Sequence, residues 1–159
     1  MDADLSHPPE LVSSLITVLD DADVAIASRY VRGGKGSQWT LRRRLLSRGG
    51  NLYVRAVLGL HTRDCTAGFK AFRASAVLRI QVTSSTSNGY CFQIENTWHA
   101  ERAGLRVVEV PITFTDRTAG ESKMSGDIVS EALGSVLTWR LREIGGQLRH
   151  PSRSRARPA

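Results

Sequence analysis

Met1-Asp2-Ala3-Asp4-Leu5-Ser6-His7-Pro8-Pro9-Glu10 opens the chain. Asp2 and Asp4 set two carboxylates one residue apart, just ahead of a proline-marked helix start. Carboxylate oxygens suit hard cations such as Mg²⁺ or Mn²⁺, which also take water and phosphate oxygens. A metal held this way can grip a diphosphate and stabilise its charge as it leaves. The plainer reading is also open: acidic residues before a helix are favoured by its dipole. The remainder of the chain decides between them.

Working outward, residues 8–19 read as a helix. Pro8 and Pro9 suit a first turn, and Leu11, Leu15, Ile16 and Leu19 give one apolar face. Val24-Ala25-Ile26-Ala27-Ser28 is short, apolar and partly β-branched, so it reads as a buried strand with Arg29 at its end. Ligands in open α/β sheets gather at strand carboxyl ends. Residues 32–37, rich in glycine, read as a flexible loop that lacks the spacing of either phosphate-binding glycine motif.

Thr40 to Leu60 reads as a long helix. Arg42, Arg43 and Arg44 crowd its first turn, where they oppose the dipole. An anion nearby would relieve that cost, and solvation would do so too. Residues 66–72 suggest a turn and a strand, 75–80 a short helix, and 89–103 a helix stopped by Gly104. Leu105 to Thr115 alternates as a single strand, edge-like at Pro111. Residues 117–123 read as a polar loop. Residues 125–145 read as an amphipathic helix, with Trp139 near its far end as a candidate membrane-interface residue. The basic stretch 146–159 has the composition of a disordered tail. The first 145 residues read as one domain.

Composition narrows the function classes. A 159-residue chain with 41% hydrophobic residues can bury a real core. Mean hydropathy is -0.21, and no apolar run is long enough to cross a bilayer. There is no signal-peptide pattern, which points to a cytoplasmic location. Cys65 and Cys91 lack metal or redox spacing. Residues 1–28 hold six acids and no Lys or Arg, so all 22 basic residues lie in the remainder, against nine acids. An acidic end able to hold a cation thus precedes a body able to hold anions.

Seven segments in order now resemble one family, the polyprenol (dolichol) phosphate mannosyltransferases: 1–10, 27–31, 39–51, 64–69, 89–95, 109–114 and 116–124. The resemblance implies an α/β fold, a Rossmann-like GT-A glycosyltransferase domain with a mixed sheet flanked by helices. It implies that the chain is incomplete, lacking the first strands and most of the nucleotide pocket, so that it is inactive alone. It implies that Asp2 and Asp4 bind the metal and donor phosphate. Ser6 stands where some relatives place a glutamine that also meets the metal, and its hydroxyl is shorter. Arg29, Arg43 and Ser47 match positions that bind the acceptor phosphate. Arg117 and Lys123 match a loop that closes over the phosphates, and Glu95 is placed for substrate binding. Asp4, Arg29, Arg43 and Arg117 would carry catalysis.

The reaction so implied is inverting transfer of mannose from GDP-mannose to a polyprenyl or dolichyl monophosphate, with Mg²⁺ or Mn²⁺. The acceptor is already anionic near neutral pH, with a second pKa of ~6. It therefore needs positive charge more than a strong base. A lipid product without a spanning segment implies work at the membrane surface, or with a membrane-anchored partner. Two alternatives stand beside this reading. One is transfer of glucose or another sugar to a lipid phosphate. The other is a basic nucleic-acid-binding module, supported by charge alone, since no nucleic-acid motif is present and aromatics make up only 6%. No nucleic acid is expected as a partner.

Overall fold

A computed structural model describes residues 7–36, 39–82, 87, 89–115 and 126–149. Five helices and five strands occur among them. The sheet is built on β1 (Val24–Ser28), every residue of which is buried. It pairs antiparallel with β3 (Lys70–Phe72) and parallel with β4 (Val107–Pro111), so the order is β3-β1-β4 and the sheet is mixed. Alternation along β1 explains its two-sided burial. Val24 and Ile26 pack with Ala67, Ala76, Ile80, Ala100 and Leu105, while Ala25 and Ala27 face Leu15, Phe69 and Ile112. Helix α1 (Leu11–Val18) thus covers one face, and α3 (Ala74–Arg79) and α4 (Gly89–Arg102) cover the other. The expected mixed sheet flanked by helices is what the chain forms.

The long helix α2 (Leu41–Leu58) has clear ends. The Thr40 side chain accepts a hydrogen bond from the Arg43 backbone N–H, and Gly59 closes the helix in the left-handed region at φ 68°. It packs with α5 (Gly126–Arg149) around Val54, Leu58, Ile94 and Val136. The Tyr53 hydroxyl ties the two by donating to the Leu133 carbonyl at 3.1 Å.

Three expectations change. Residues 32–37 are not simply a loop: Lys35–Gly36 form β2, paired parallel with β5 (Thr113–Phe114). The single strand expected over 105–115 divides at Ile112, whose side chain is buried, into β4 in the main sheet and β5 in the small one. Its N–H donates to the Ser28 carbonyl and its carbonyl accepts from Lys35, so the chain changes partners there. Finally, α5 continues to Arg149, past the expected end at 145. The glycine at 34 has a steric reason: a Cβ there would stand 2.4 Å from the Ser28 carbonyl oxygen. Only glycine lets the 31–36 segment lie so close to the end of β1.

Candidate active site at the end of the central strand

Arg29 leaves the carboxyl end of β1 and meets Asp64 from the loop between α2 and β3. The pair is bidentate: Nε to Oδ2 at 2.7 Å and NH2 to Oδ1 at 2.6 Å. The Arg29 backbone N–H also donates to Oδ2, and NH2 reaches the Thr66 hydroxyl at 2.9 Å. The Asp64 side chain is 0% exposed and that of Arg29 only 11%. Burial by itself would lower the Arg29 pKa. The Asp64 hydrogen bonds and charge outweigh it, so the guanidinium sits above its ordinary value. Its position is fixed by the protein, not by solvent.

Aromatic rings surround the same guanidinium. Its carbon lies 5.5 Å from the Tyr30 ring centroid, 5.4 Å from that of Trp39 and 5.7 Å from that of Phe114. Arg43, on the first turn of α2, stacks 4.7 Å from the same Trp39 ring. Arg42 and Arg44, its neighbours, are exposed, because about 100° per residue turns them off that face. Ser47, one turn further on, accepts a hydrogen bond from the Tyr30 hydroxyl at 2.5 Å. Burial raises the Tyr30 pKa, so this hydroxyl keeps its proton. Arg29, Arg43 and Ser47 are therefore brought into one neighbourhood through Tyr30 and Trp39.

The Asp64 loop is itself held from behind. Glu109 on β4 accepts from the Arg63 and Asp64 backbone N–H groups at 2.9 and 3.0 Å. Glu101 on α4 accepts from His61 N–H, Thr62 N–H and the Thr62 hydroxyl. Burial works against the Glu101 carboxylate, but these donors hold its pKa below the usual value. Buried Asn51 adds a third tie, accepting from Cys65 N–H and donating to Thr66 Oγ1.

The other expected residues divide. Glu95 lies on α4. It pairs loosely with His99 at 3.7 Å and lines a separate cavity of about 360 Å³ with Arg79, Asn96 and Arg102. Asp2, Asp4, Ser6, Arg117 and Lys123 lie outside the described residues. Among the described residues no cluster of His, Cys, Asp or Glu could hold a metal ion. His7, three residues after Asp4, is buried against Phe69 and Phe114, with ring centroids 5.1 and 5.4 Å away.

Sequence reasoning gave no role to Trp39, Tyr30, Asp64 or Phe114. A lone carboxylate and scattered aromatics carry no periodic signal. Each lies in a segment that carries the family resemblance, but their shared contact with Arg29 is created by the fold.

The family model described as Glycosyl transferase family 2 matches residues 1–80. Among curated proteins, the polyprenol monophosphomannose synthase of Mycolicibacterium smegmatis is 49% identical over 143 residues, covering 89% of this chain and 54% of that protein. The undecaprenyl-phosphate mannosyltransferase of Micrococcus luteus is 48% identical over 141 residues, 89% of this chain and 58% of that protein. The dolichol-phosphate mannosyltransferase of Pyrococcus furiosus is 36% identical over 151 residues, 93% of this chain and 41% of that protein. The chain thus spans about half the length of the curated relatives it matches.

Proposed function

Since the chain belongs to glycosyl transferase family 2, we propose that it serves the transfer of mannose from GDP-mannose to a polyprenyl monophosphate, with inversion at the sugar carbon. The observation that carries this reading is the placing of two arginines, Arg29 and Arg43, on one indole ring beside Ser47. Guanidinium forks match phosphate oxygens, and a rigid pair brings an anionic acceptor toward an anionic donor. The names of the relatives support mannose as the sugar and a polyprenyl phosphate as the acceptor. The donor nucleotide and the stereochemistry rest on the resemblance alone.

In this reading Arg29 and Arg43 bind and orient the acceptor phosphate. Ser47 adds a hydroxyl at its edge. An acceptor oxygen attacks the sugar carbon as the bond to the donor diphosphate breaks, through an oxocarbenium-like transition state. Asp2 and Asp4 offer hard oxygen donors that fit Mg²⁺ or Mn²⁺, and Arg117 and Lys123 would bind the donor phosphates. A bound cation would supply charge stabilisation for the departing diphosphate. The test uses the intact gene product, labelled GDP-mannose and a short polyprenyl phosphate. Label should enter the lipid fraction, chelation should stop it, and Arg43→Ala should impair acceptor use by ~1.5–3 kcal/mol while sparing donor binding. Transfer to polyprenyl phosphate from every nucleotide sugar but GDP-mannose would overturn the donor assignment.

The acceptor implies a membrane surface. Among the described residues no helix is long and apolar enough to cross a membrane. Leu41, Leu45 and Leu52 fall on one face of α2, and each is at least 60% exposed. Exposed Leu137, Leu141 and Ile144 form a stripe on the neighbouring α5. Arg42, Arg44 and Arg48 are exposed beside the α2 leucines. Trp139 is not part of this surface: it stacks on Trp98, 5.9 Å between centroids. Peripheral attachment through these faces should appear as co-sedimentation with anionic vesicles that falls with salt. Leu45→Gln with Leu141→Gln should weaken it severalfold. Retained binding in that double variant would remove the two helices from the surface.

A further inference from the structure

Trp39 is 8% exposed, and its ring has almost no room to move. A Cβ added at Gly36 would stand 2.6, 2.8 and 2.9 Å from three of its carbons, so the indole lies directly against the β2 backbone. Phe114 of β5 meets it edge-on, 5.9 Å between centroids. Strand pairing of β2 with β5 fixes both supports. On this ring rest two cations, Arg29 at 5.4 Å and Arg43 at 4.7 Å.

Two like charges around one ring repel each other. The negative face of an indole offsets part of that repulsion and is the best aromatic partner for a guanidinium. Asp64 holds Arg29, and the ring is the contact the two guanidinium groups share. From this we infer that Trp39 is a positioning residue for the acceptor phosphate: its indole, seated on Gly36, sets the spacing of the Arg29 and Arg43 guanidinium groups. The inference rests on the proposed acceptor role of those arginines and adds the element that spaces them. It also gives the glycine-rich segment a purpose. Gly36 is small because the ring needs its surface.

The test is calorimetric titration of the intact gene product with a short polyprenyl phosphate, and with the corresponding uncharged polyprenol. Trp39→Leu should bind the phosphate roughly tenfold or more weakly, since two cation–π contacts are lost. Trp39→Phe keeps an aromatic face and should stay within about threefold of wild type. Both variants lose similar packing, so their unfolding midpoints should fall alike while their phosphate affinities part. Uncharged polyprenol should not distinguish any of them. Equal weakening in Phe and Leu variants would mean that Trp39 only fills space, and the inference would fail. Should Trp39→Leu not fold, Gly36→Ala answers the same question, because it displaces the ring without removing it. A folded Gly36→Ala protein that binds phosphate as wild type does would also overturn the inference. If wild-type protein binds no polyprenyl phosphate at all, the acceptor reading itself falls, and this inference with it.

Discussion

Replacing Asp64 with alanine should destabilise the protein by about 3–5 kcal/mol, the range for removing one partner of a buried ion pair. The carboxylate is fully buried and takes four hydrogen bonds, three from Arg29 and one from the Thr66 hydroxyl. Without it, the Arg29 guanidinium keeps its charge in a largely desolvated place. An arginine cannot escape by losing its proton. Since native domains are stable by only about 5–15 kcal/mol, the loss takes much of the total. Urea unfolding of residues 1–159 would measure it. Combining Asp64→Leu with Arg29→Met should restore most of the stability, because neither charge is then buried, yet acceptor binding should not return. A loss below about 1 kcal/mol for Asp64→Ala would mean that water reaches the pair and screens it.

This dependence could not be read from the residues alone. The strand at Val24–Ser28 was legible because a short apolar run between polar flanks has few other uses. So was α2, framed by Thr40 and Gly59. Asp64 opens one of the resembling segments, but nothing local marks its partner. It lies 35 positions from Arg29, and their meeting depends on the turn that returns the chain to β3. The division at Ile112 was hidden for a related reason. Residues 107–114 have the composition of one strand, and only the hydrogen bonds from Ile112 to Ser28 and from Lys35 to Ile112 reveal two partners. The two-residue strand Lys35–Gly36 is shorter than any window that periodicity can use.

The site was legible in kind more than in arrangement. Arg29, Arg43 and Ser47 are grouped by the family resemblance, and the fold brings them to one neighbourhood. Arg43 could be separated from Arg42 and Arg44 by helical angle, a local property. Glu95 shows what a motif leaves out. On α4 it stands beside His99 and lines the cavity with Arg79, because Ala100 of the same helix packs on the sheet while Ile94 packs between α2 and α5. Which face of a helix is buried depends on its neighbours, and those come from distant sequence.

The second large effect should come from Lys70, which reads from the residues only as part of the turn and strand over 66–72. Its ammonium donates to the Gln93 carbonyl at 2.7 Å and to the Thr97 hydroxyl at 2.8 Å. Burial pushes its pKa from 10.5 down to about 7, while Cys65 and Asp64 pull weakly the other way. In the unfolded chain Lys70 binds its proton up to its ordinary value, so between pH 7 and 10.5 the unfolded state holds more protons than the native one. Stability must then rise with pH across that window, at up to about 1.4 kcal/mol per pH unit. Below pH 7 the full penalty applies, roughly 4–5 kcal/mol on this basis. Cys65 acts in the opposite sense: burial lifts its thiol from 9.0 to about 12, which favours the native state below pH 9 and loses that advantage above it. The interval from pH 7 to 9 therefore isolates Lys70. Lys70→Met should flatten the stability profile there. It should also raise stability at pH 7 by roughly 2–3 kcal/mol, after allowing about 1 kcal/mol for each of the two lost hydrogen bonds. Denaturant unfolding of wild type and variant at several pH values in that interval would decide it. Parallel profiles for the two proteins would show that the Lys70 amine stays charged in the fold, and that its two hydrogen bonds outweigh the burial.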